Sequence, residues 1–274
     1  MHARPDPPPA GADIWHIGLD VDTDTVDVVA ALLDADERRR AGDLRDPVAA
    51  HRFVVAHGAA RTVLARYLGA PGDAVHWARG PNGKPFFEGQ WSRWQWSLSR
   101  SGGHALLAVR WTGPVGVDLE RVRDGPPTVA LATRFLPAEE AAAVARHSDP
   151  HARSAAYHRL LSRKEACVKA SGGRFLEGLR LRVLMPGTVE GTGPLAGQRW
   201  LLRDLPAPPG YVAALATTGD RLGRLRLFEW GWPPERWREG AAVLPGQPPG
   251  GDRAGPYRSE HVSPVPSRGP RGIR

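Results

Sequence analysis

A long helix in the middle of the chain is the feature that most limits how this sequence can fold. Asp149 and Pro150 mark its start, because an aspartate can cap a helix and proline fits the first helical turn. Gly172 marks its end, since glycine accepts the left-handed conformation that terminates helices. Between these residues, apolar side chains such as Leu160 and Val168 follow helical spacing, so we expect one face to pack inward.

The same helix holds two of the three lysines in the chain. The sequence has 37 basic residues, of which only Lys84, Lys164 and Lys169 are lysines. Lysine is a compact, strongly hydrated charge with a tunable pKa, whereas arginine is a planar fork. We interpret these lysines as serving a local chemical role, against the alternative that three positions cluster by chance. Glu165 and Lys169 are four residues apart and share one helix face.

Composition excludes several classes of protein. The 274 residues are 41% hydrophobic and 24% charged, which is ordinary for a globular chain. We expect neither a transmembrane helix nor a signal peptide, because no apolar run is long enough. The single cysteine, Cys167, excludes an intramolecular disulfide and a cysteine-based zinc site, and it suits the cytoplasm. The net charge of +8 favours an acidic protein or a phosphorylated ligand over nucleic acid, because no nucleic-acid motif is present.

We expect disorder at both ends of the chain, in residues 1–13 and 233–274, because both are rich in proline and glycine. The patterns between them predict helices and strands in alternation. The predicted helices are 26–33, 36–43, 47–68, 128–134, a helix opening at 135–140, and 150–171. The predicted strands are 14–21, 75–79, 91–98, 105–109, 115–121, 179–185, 199–203, 211–216 and 224–230.

Two carboxylates lie two residues apart on the predicted strand 115–121. Alternation along a strand directs Val117 and Leu119 to one side, and Asp118 and Glu120 to the other. Two carboxylates at this spacing repel each other unless a cation lies between them, and Mg²⁺ prefers oxygen ligands. Taken alone, the pair is better explained as a surface pair held by salt bridges.

Two segments in the first half could contact phosphate. The turn 80–85 presents Lys84, and the segment 97–103 is interpreted as a hydroxyl-rich loop that contains Arg100. Loops of this kind have free backbone N–H groups that can cradle phosphates. Arg52 and Arg61 on the helix that opens at Pro47 are weaker candidates, and the alternative for them is a solvated helix face.

These groups suit one kind of ligand when they are taken together. Asp118, Glu120 and Glu165 could share a Mg²⁺ ion with a diphosphate, and the lysines could hold the outer charges. Transfer of a phosphoryl-type group needs mostly positioning and charge stabilisation. One carboxylate could also act as the base for an attacking hydroxyl.

The order of these motifs resembles the 4′-phosphopantetheinyl transferases of the larger, monomeric, two-lobed type, which activate surfactin synthetase and similar proteins. The resemblance covers roughly residues 14–232. The matching pieces are the Gly-Lys-Pro turn 83–85, the segment 97–102, the strand 116–120 (Gly-Val-Asp-Leu-Glu), the segment 135–140 and the helix 164–169 (Lys-Glu-Ala-Cys-Val-Lys).

The resemblance implies an α+β fold of two similar lobes related by a pseudo-twofold axis, with the active site in the cleft. The lobes would be 14–111 and 112–232, the second with the metal site. It also implies transfer of the phosphopantetheine arm of coenzyme A to a serine of an acyl or peptidyl carrier protein, with release of adenosine 3′,5′-bisphosphate. The enzyme would be a Mg²⁺-dependent monomer without nucleic-acid or membrane partners.

The resemblance also implies roles for individual residues. Glu165 and Lys169 would be catalytic, and Mg²⁺ would be bound by Asp118, Glu120 and Glu165. Coenzyme A would be bound by the remaining candidates, which are Lys84, Ser99, Arg100, Ser101, Arg52 and Arg61.

Three departures from the family pattern are the segment 97–101, Leu161 and the proline- and arginine-rich tail, which has no counterpart in the motif set. Ser97 and Arg100 stand where the family usually has asparagine and histidine, and Leu161 stands where it often has tryptophan. One alternative is therefore a relative that binds coenzyme A without catalysis. A second alternative, which the net charge of +8 and the arginine-rich tail allow, is a basic nucleic-acid-binding protein, whose binding would weaken steeply with salt.

Overall fold

The computed structural model describes residues 11–123, 127–219, 221–233 and 238–239, and these residues form an α+β fold. The helices are α1 (Thr23–Ala31), α2 (Ala35–Gly42), α3 (Pro47–Leu68), α4 (Thr128–Phe135), α5 (Ala138–Ala145), α6 (Pro150–Ser171) and α7 (Phe175–Gly178). The strands are β1 (Ala12–Gly18), β2 (Ala78–Arg79), β3 (Pro85–Phe86), β4 (Gln95–Ser101), β5 (His104–Arg110), β6 (Val115–Arg121), β7 (Gly187–Glu190), β8 (Arg199–Leu205), β9 (Tyr211–Thr217), β10 (Leu225–Glu229) and β11 (Arg238–Glu239). None of the described helices is long and apolar enough to cross a membrane.

Two larger sheets each pack against one long helix. The first has the strand order β11-β10-β1-β5-β4 and shares a core with α3, and the second has the order β6-β9-β8-β7 and shares a core with α6. Their pairings are antiparallel except for β1 with β10, which is parallel. A third apolar cluster, with Ile14, Leu106, Val117 and Leu215 among its members, joins the two sheets.

The predicted boundaries of the helix at the centre of the sequence are confirmed. The side chain of Asp149 accepts a hydrogen bond from the Ala152 backbone N–H at 2.6 Å, and Pro150 occupies the first turn. Gly172 ends α6 in the left-handed region at φ 69°. These local signals lie within a few residues of the helix ends, which is why the sequence was sufficient to place them.

Helix α6 lies directly on the backbone of β6. A Cβ atom added to Gly116 would lie 2.1 Å from the carbonyl oxygen of Ala166, so only glycine allows this approach. Val117 and Leu119 pack between the two sheets. Alternation therefore turns Asp118 and Glu120 to the opposite side of the strand, as the sequence predicted, and the structure shows that α6 lies on that side.

Serine side chains join the edge strands β4 and β6 of the two sheets. The Oγ atoms of Ser97, Ser99 and Ser101 accept hydrogen bonds from backbone N–H groups of β6 at 3.1, 3.3 and 3.0 Å. The prediction of a hydroxyl-rich loop at 97–103 was wrong, because residues 97–101 lie within β4 and only Gly102 and Gly103 form the turn. The serines thus act as acceptors for an edge that would otherwise have unpaired N–H groups.

Several further predictions differ from the structure. The strand predicted at 179–185 is wrong: this segment follows α7 without strand pairing, and its Leu181 and Val183 backbones bind the side chains of Lys164 and Glu140. The strand predicted at 224–230 is present as β10, but it pairs with β1 in the first sheet. Strand β1 begins at Ala12, inside the segment 1–13 that we expected to be disordered, and β11 lies inside the segment 233–274. Residues 1–10, 234–237 and 240–274 lie outside the described residues.

Candidate active site

Three elements meet at Asp118, which is 2% exposed. Its Oδ1 atom accepts hydrogen bonds from Lys169 Nζ of α6 at 2.7 Å and from Ser99 Oγ of β4 at 2.8 Å. Lys169 Nζ also donates to Ser99 Oγ at 2.9 Å. The buried carboxylate is therefore fixed by one cation and one hydroxyl from two different elements.

Asp118, Glu120 and Glu165, which we call the acidic cluster, influence one another electrostatically. Burial and the charge of Asp118 raise the pKa of Glu120 to about 7, with a smaller contribution from Glu165 and against the opposing charge of Lys169. Burial likewise raises the pKa of Glu165, with a smaller contribution from Asp118, against the opposing charge of Lys169. Lys169 alone does not neutralise this cluster.

The acidic cluster offers oxygen ligands that an added cation could use. Asp118 Oδ2 is buried and has no hydrogen-bond partner, so one carboxylate oxygen is available for a further ligand. Among the described residues, no three carboxylate, histidine or cysteine side chains form a ready-made metal site. Mg²⁺ does not need one, because it usually keeps several waters and takes one or two carboxylates plus substrate phosphates.

A basic pocket of about 300 Å³ adjoins the acidic cluster through Lys169. No carboxylate is among the described residues that line it. Such a pocket suits an anion, because the described residues that line the cavity are basic or uncharged. Its basic lining residues, from which we name it, are Arg40, His57, Arg79, Lys84, Arg100 and Lys169.

Two arginines in the basic pocket both lie over the same aromatic ring. The guanidinium carbon atoms of Arg40 and Arg100 lie 5.1 and 5.3 Å from the ring centroid of Phe53. Partial burial lowers the pKa of Arg100, and the charge of Arg40 lowers it further. The NH1 nitrogen of the Arg40 guanidinium is buried without a hydrogen-bond partner. An anion between the two guanidiniums would relieve their repulsion and supply the missing acceptor.

Lys84 lines the basic pocket, but its ammonium group already has three partners. Lys84 Nζ donates to the backbone carbonyls of Val115 at 3.2 Å, Lys169 at 2.7 Å and Ala170 at 2.6 Å. Burial lowers the pKa of Lys84 to about 8. A phosphate could bind this group only by replacing at least one carbonyl, since an ammonium has three donors.

Arg52 and Arg61 are both paired within the protein. Arg52 forms a bidentate ion pair with Asp20, with N···O distances of 2.7 and 3.0 Å. Arg61 is fully buried and donates to Glu37, Asp34 and the Val75 carbonyl at 2.6–2.7 Å. This geometry gives Arg61 a structural role, so we do not retain the prediction that it binds a ligand.

Sequence reasoning missed three residues of the basic pocket: Arg40, His57 and Arg79. The run Arg38-Arg39-Arg40 lies in the predicted helix 36–43, for which the sequence analysis proposed no ligand contact. Nothing local distinguishes Arg40 from its neighbours, because its environment comes from Phe53 and Arg100 of other elements. The presence of several arginines in one helix was the only available signal.

Comparison with known proteins agrees with this geometry. A family model described as the 4′-phosphopantetheinyl transferase superfamily matches residues 114–214. The chain is 30% identical over 227 residues to the 4′-phosphopantetheinyl transferase HetI of Nostoc, which covers 82% of this chain and 90% of HetI. The chain belongs to the 4′-phosphopantetheinyl transferase superfamily.

Two further relatives in this superfamily match shorter stretches. A Synechocystis protein, whose name assigns it provisionally to the same enzyme class, is 30% identical over 150 residues, which is 54% of this chain and 61% of the relative. The 4′-phosphopantetheinyl transferase AcpT of Salmonella typhi is 34% identical over 115 residues, which is 42% of this chain and 57% of AcpT.

The superfamily match spans β6 to most of β9, and therefore includes the acidic cluster and Lys169. The side chains of Arg40, Lys84 and Arg100 in the basic pocket come from earlier in the chain. The resemblance inferred from the sequence is thus confirmed at the level of the family and of the α+β fold. The pseudo-twofold relation and the individual residue roles stay predictions.

Proposed function

We propose that this protein transfers the 4′-phosphopantetheine arm of coenzyme A to a serine of an acyl or peptidyl carrier protein, in a Mg²⁺-dependent reaction. The observation that carries the proposal is the position of the acidic cluster beside the carboxylate-free basic pocket, with Lys169 in contact with both. A diphosphate donor needs both features, because its outer charges require cations and its reacting phosphate requires charge neutralisation.

In this proposal the basic pocket holds the phosphates of coenzyme A. Arg40 and Arg100 would bind one phosphate group between them, since their guanidiniums flank Phe53 and Arg40 has an unused buried donor. Guanidinium–phosphate contacts can be bidentate and are strong. Ser99 acts mainly by orienting Asp118, and Ser101 supports β6 beside it, because both hydroxyls are engaged with that strand. Arg52 would need to leave Asp20 to contact the donor.

The acidic cluster would hold Mg²⁺, with Asp118 as the best-placed ligand because its Oδ2 atom has no partner. When bound, the ion would neutralise charge on the phosphate oxygens of the donor. Its presence would also favour the charged forms of Glu120 and Glu165, whose pKa values are raised by burial and by neighbouring carboxylates.

The remaining groups would serve the transfer itself. Glu165 would accept the proton of the carrier serine as the serine oxygen forms a bond to the β-phosphorus of coenzyme A. The bond from that phosphorus to the bridging oxygen breaks, and adenosine 3′,5′-bisphosphate leaves with the electron pair. Lys169 would stabilise the developing phosphate charge, since its ammonium is half-buried and lies at the edge of the basic pocket.

Intact-mass spectrometry tests the reaction. An apo carrier protein incubated with this protein, coenzyme A and Mg²⁺ should gain the mass of one phosphopantetheine arm, and EDTA should prevent the gain. Asp118→Asn should abolish the gain, whereas Asp73→Asn should leave it unchanged, because Asp73 is an exposed carboxylate outside the site. Coenzyme A binding without any mass gain, across several unrelated carriers, would favour the inactive relative. Salt-sensitive binding of nucleic acid that survives Asp118→Asn would favour the second alternative.

We further propose that the enzyme acts as a monomer in the cytoplasm on an acidic carrier. The net charge of +8 favours association with an acidic partner. Light scattering coupled to size-exclusion chromatography should give the mass of one chain, and a dimer mass would contradict this part of the proposal.

A further inference from the structure

Lys84 occupies a turn that reaches from the first half of the chain to the end of α6. The turn between β2 and β3 is closed by backbone hydrogen bonds from Gly83 N to Gly80 O at 2.8 Å and from Gly80 N to Lys84 O at 2.9 Å. The backbone of the turn that presents Lys84 is thereby closed. The ammonium group of Lys84 lies 2.6–2.7 Å from the carbonyls of Lys169 and Ala170.

These two carbonyls belong to the last turn of α6, where carbonyl groups lack a complete set of intrahelical partners. A cation at this end also interacts favourably with the helix dipole. In the part of the chain that the structure describes, no carboxylate forms an ion pair with Lys84, so the carbonyl oxygens are its counter-charge. Lys84 is therefore a C-terminal cap supplied from a distant part of the sequence.

Two neighbouring contacts strengthen the same attachment. Asn82 Nδ2 donates to the Gly172 carbonyl at 3.0 Å, and Asn82 Oδ1 accepts from Arg174 Nε at 3.0 Å. The aliphatic part of Lys84 lies against Gly172, because a Cβ atom added there would be 3.3 Å from Lys84 Cδ. The turn thus holds both the last turn of α6 and the residues that follow it.

The third partner of Lys84 connects this attachment to β6. Lys84 Nζ donates to the carbonyl of Val115, the first residue of the strand that carries Asp118. One ammonium group therefore binds the backbone of Lys169 and the backbone of β6. Through their side chains, these same elements form the 2.7 Å contact between Lys169 and Asp118.

We propose that Lys84 is a positioning residue that holds the end of α6 against β6, and thereby aligns Lys169 with Asp118, rather than a direct ligand of the donor phosphates. The proposal rests on the function proposed above for this site. A phosphate ligand and a positioning residue differ in what their loss changes, since the first weakens ground-state binding and the second lowers turnover.

The test compares Lys84→Met, which retains the aliphatic stem, with Arg79→Met, which removes a different cation from the basic pocket. Arg79 donates a long hydrogen bond, 3.4 Å, to the Gly83 carbonyl and forms an ion pair with Asp36 at 4.0 Å, so its recorded partners lie outside α6. Titration calorimetry measures the Kd for coenzyme A, carrier-modification assays measure kcat, and hydrogen exchange measures protection of a peptide that covers residues 165–173.

For Lys84→Met we expect amide exchange in residues 168–173 to accelerate by about tenfold or more, because the last turn of α6 loses its cap. We expect kcat to fall by about tenfold or more while the Kd for coenzyme A changes by less than about threefold. Arg79→Met should raise the Kd and leave the exchange of α6 unchanged. Lys84→Arg should restore part of the exchange protection, because it retains the charge and several donors.

A tenfold or greater rise in the Kd of Lys84→Met, without faster exchange in α6, would overturn the proposal. If wild-type protein shows no transfer but Lys84→Met still exchanges faster, the proposed function fails while the attachment of α6 by Lys84 stands. Should Lys84→Met fail to fold, Asn82→Ala removes both neighbouring contacts of the same turn, those with the Gly172 carbonyl and with Arg174. It should accelerate exchange in the same residues by a smaller factor, and unchanged exchange in that variant would contradict the proposal.

Discussion

Helices α3 and α6 follow the same plan, but only α6 carries the acidic site. Each has 22 residues, an aspartate cap, a proline in the first turn and a left-handed glycine immediately after its last turn. In both halves, 35 residues separate the start of an earlier strand from the helix proline: Ala12 from Pro47, and Val115 from Pro150. The two halves can therefore be compared position by position.

The same position of each helix carries a buried cation. Arg61 and Lys164 are each the fifteenth residue of their helix, and both are fully buried. Arg61 pairs with Glu37 of α2, and Lys164 pairs with Glu140 of α5, each at 2.7 Å. Each cation also donates to a backbone carbonyl further along the chain, that of Val75 or that of Leu181. These pairs are common to both halves and are structural.

The next residues show the difference. Glu165 and Lys169 of α6 correspond to Thr62 and Arg66 of α3, and Asp118 of β6 corresponds to Trp15 of β1. The first half has no carboxylate at any of these positions. Similar pairs of strand and helix thus hold the acidic cluster in one half and apolar residues in the other. The difference arises because a few residues on β6 and α6 differ from those at the corresponding positions of β1 and α3.

The largest effect should come from removing a carboxylate of the acidic cluster. We expect Glu165→Ala and Asp118→Ala to reduce carrier modification by about 10³-fold or more, because single charge-stabilising groups contribute 10²–10³-fold and metal ligands add to this. The corresponding change in the first half, Thr62→Ala, should retain activity. Mass spectrometry of the carrier measures the rates, and circular dichroism should confirm that all three variants fold. If Glu165→Ala retained activity close to that of the wild type, the proposal that α6 and not α3 carries a residue needed for the reaction would be wrong.

Removing either buried cation should destabilise the fold to a similar extent. We expect Arg61→Met and Lys164→Met each to lower the free energy of unfolding by about 3–5 kcal/mol, because a buried glutamate loses its partner. Urea denaturation gives these values. If Arg61→Met instead left stability unchanged and raised the KM for coenzyme A, the original prediction that Arg61 binds the donor would be restored.

Loss of Lys169 should affect turnover more than stability. We expect Lys169→Met to lower kcat by about 10²-fold, since one charged donor near the reacting phosphate is removed. Arg66→Met, the corresponding change in α3, should leave kcat unchanged. Steady-state kinetics on both variants makes the comparison, and an equal loss in Arg66→Met would show that the effect is general to the fold.

The smallest expected effect concerns the loss of folding stability at acidic pH, which should arise in the first half of the chain. Burial raises the pKa of Glu37, but the hydrogen bond and charge of His57 and the charge of Arg61 outweigh it and leave the pKa below its ordinary value of 4.5. Burial lowers the pKa of His57 more than Glu37 raises it. Glu37 therefore contributes stability above pH 4.5 that is lost as the pH falls through its folded pKa, while His57 resists protonation below its ordinary value of 6.5.

Denaturation curves between pH 3 and 7 should thus show a smaller loss of stability on acidification in Glu37→Gln than in the wild type. Asp36→Asn is the matched control, because Asp36 is an exposed acid on the same helix. If Glu37→Gln and the wild type lost stability in parallel, the acid sensitivity would have to come from other groups.

Local signals in the sequence were enough to determine the long helices and the strand β6. Aspartate, proline and glycine bracket both helices within a few residues of their ends, and alternation in β6 separates Asp118 and Glu120 from Val117 and Leu119. These features depend on contacts between residues close in the chain, so pattern and capping rules suffice. The order of the motifs was also specific enough to identify the family.

Only the tertiary structure decided which charged and polar side chains are paired. Lys164 and Lys169 lie five residues apart, yet one is paired with Glu140 in the core and the other contacts Asp118 beside the basic pocket. The serines of β4 were misread as a loop because their partners are backbone groups of β6, about twenty residues further along the chain. Whether a cation is structural or available to a ligand depends on which distant carboxylate or carbonyl folding brings to it, and no local pattern contains that information.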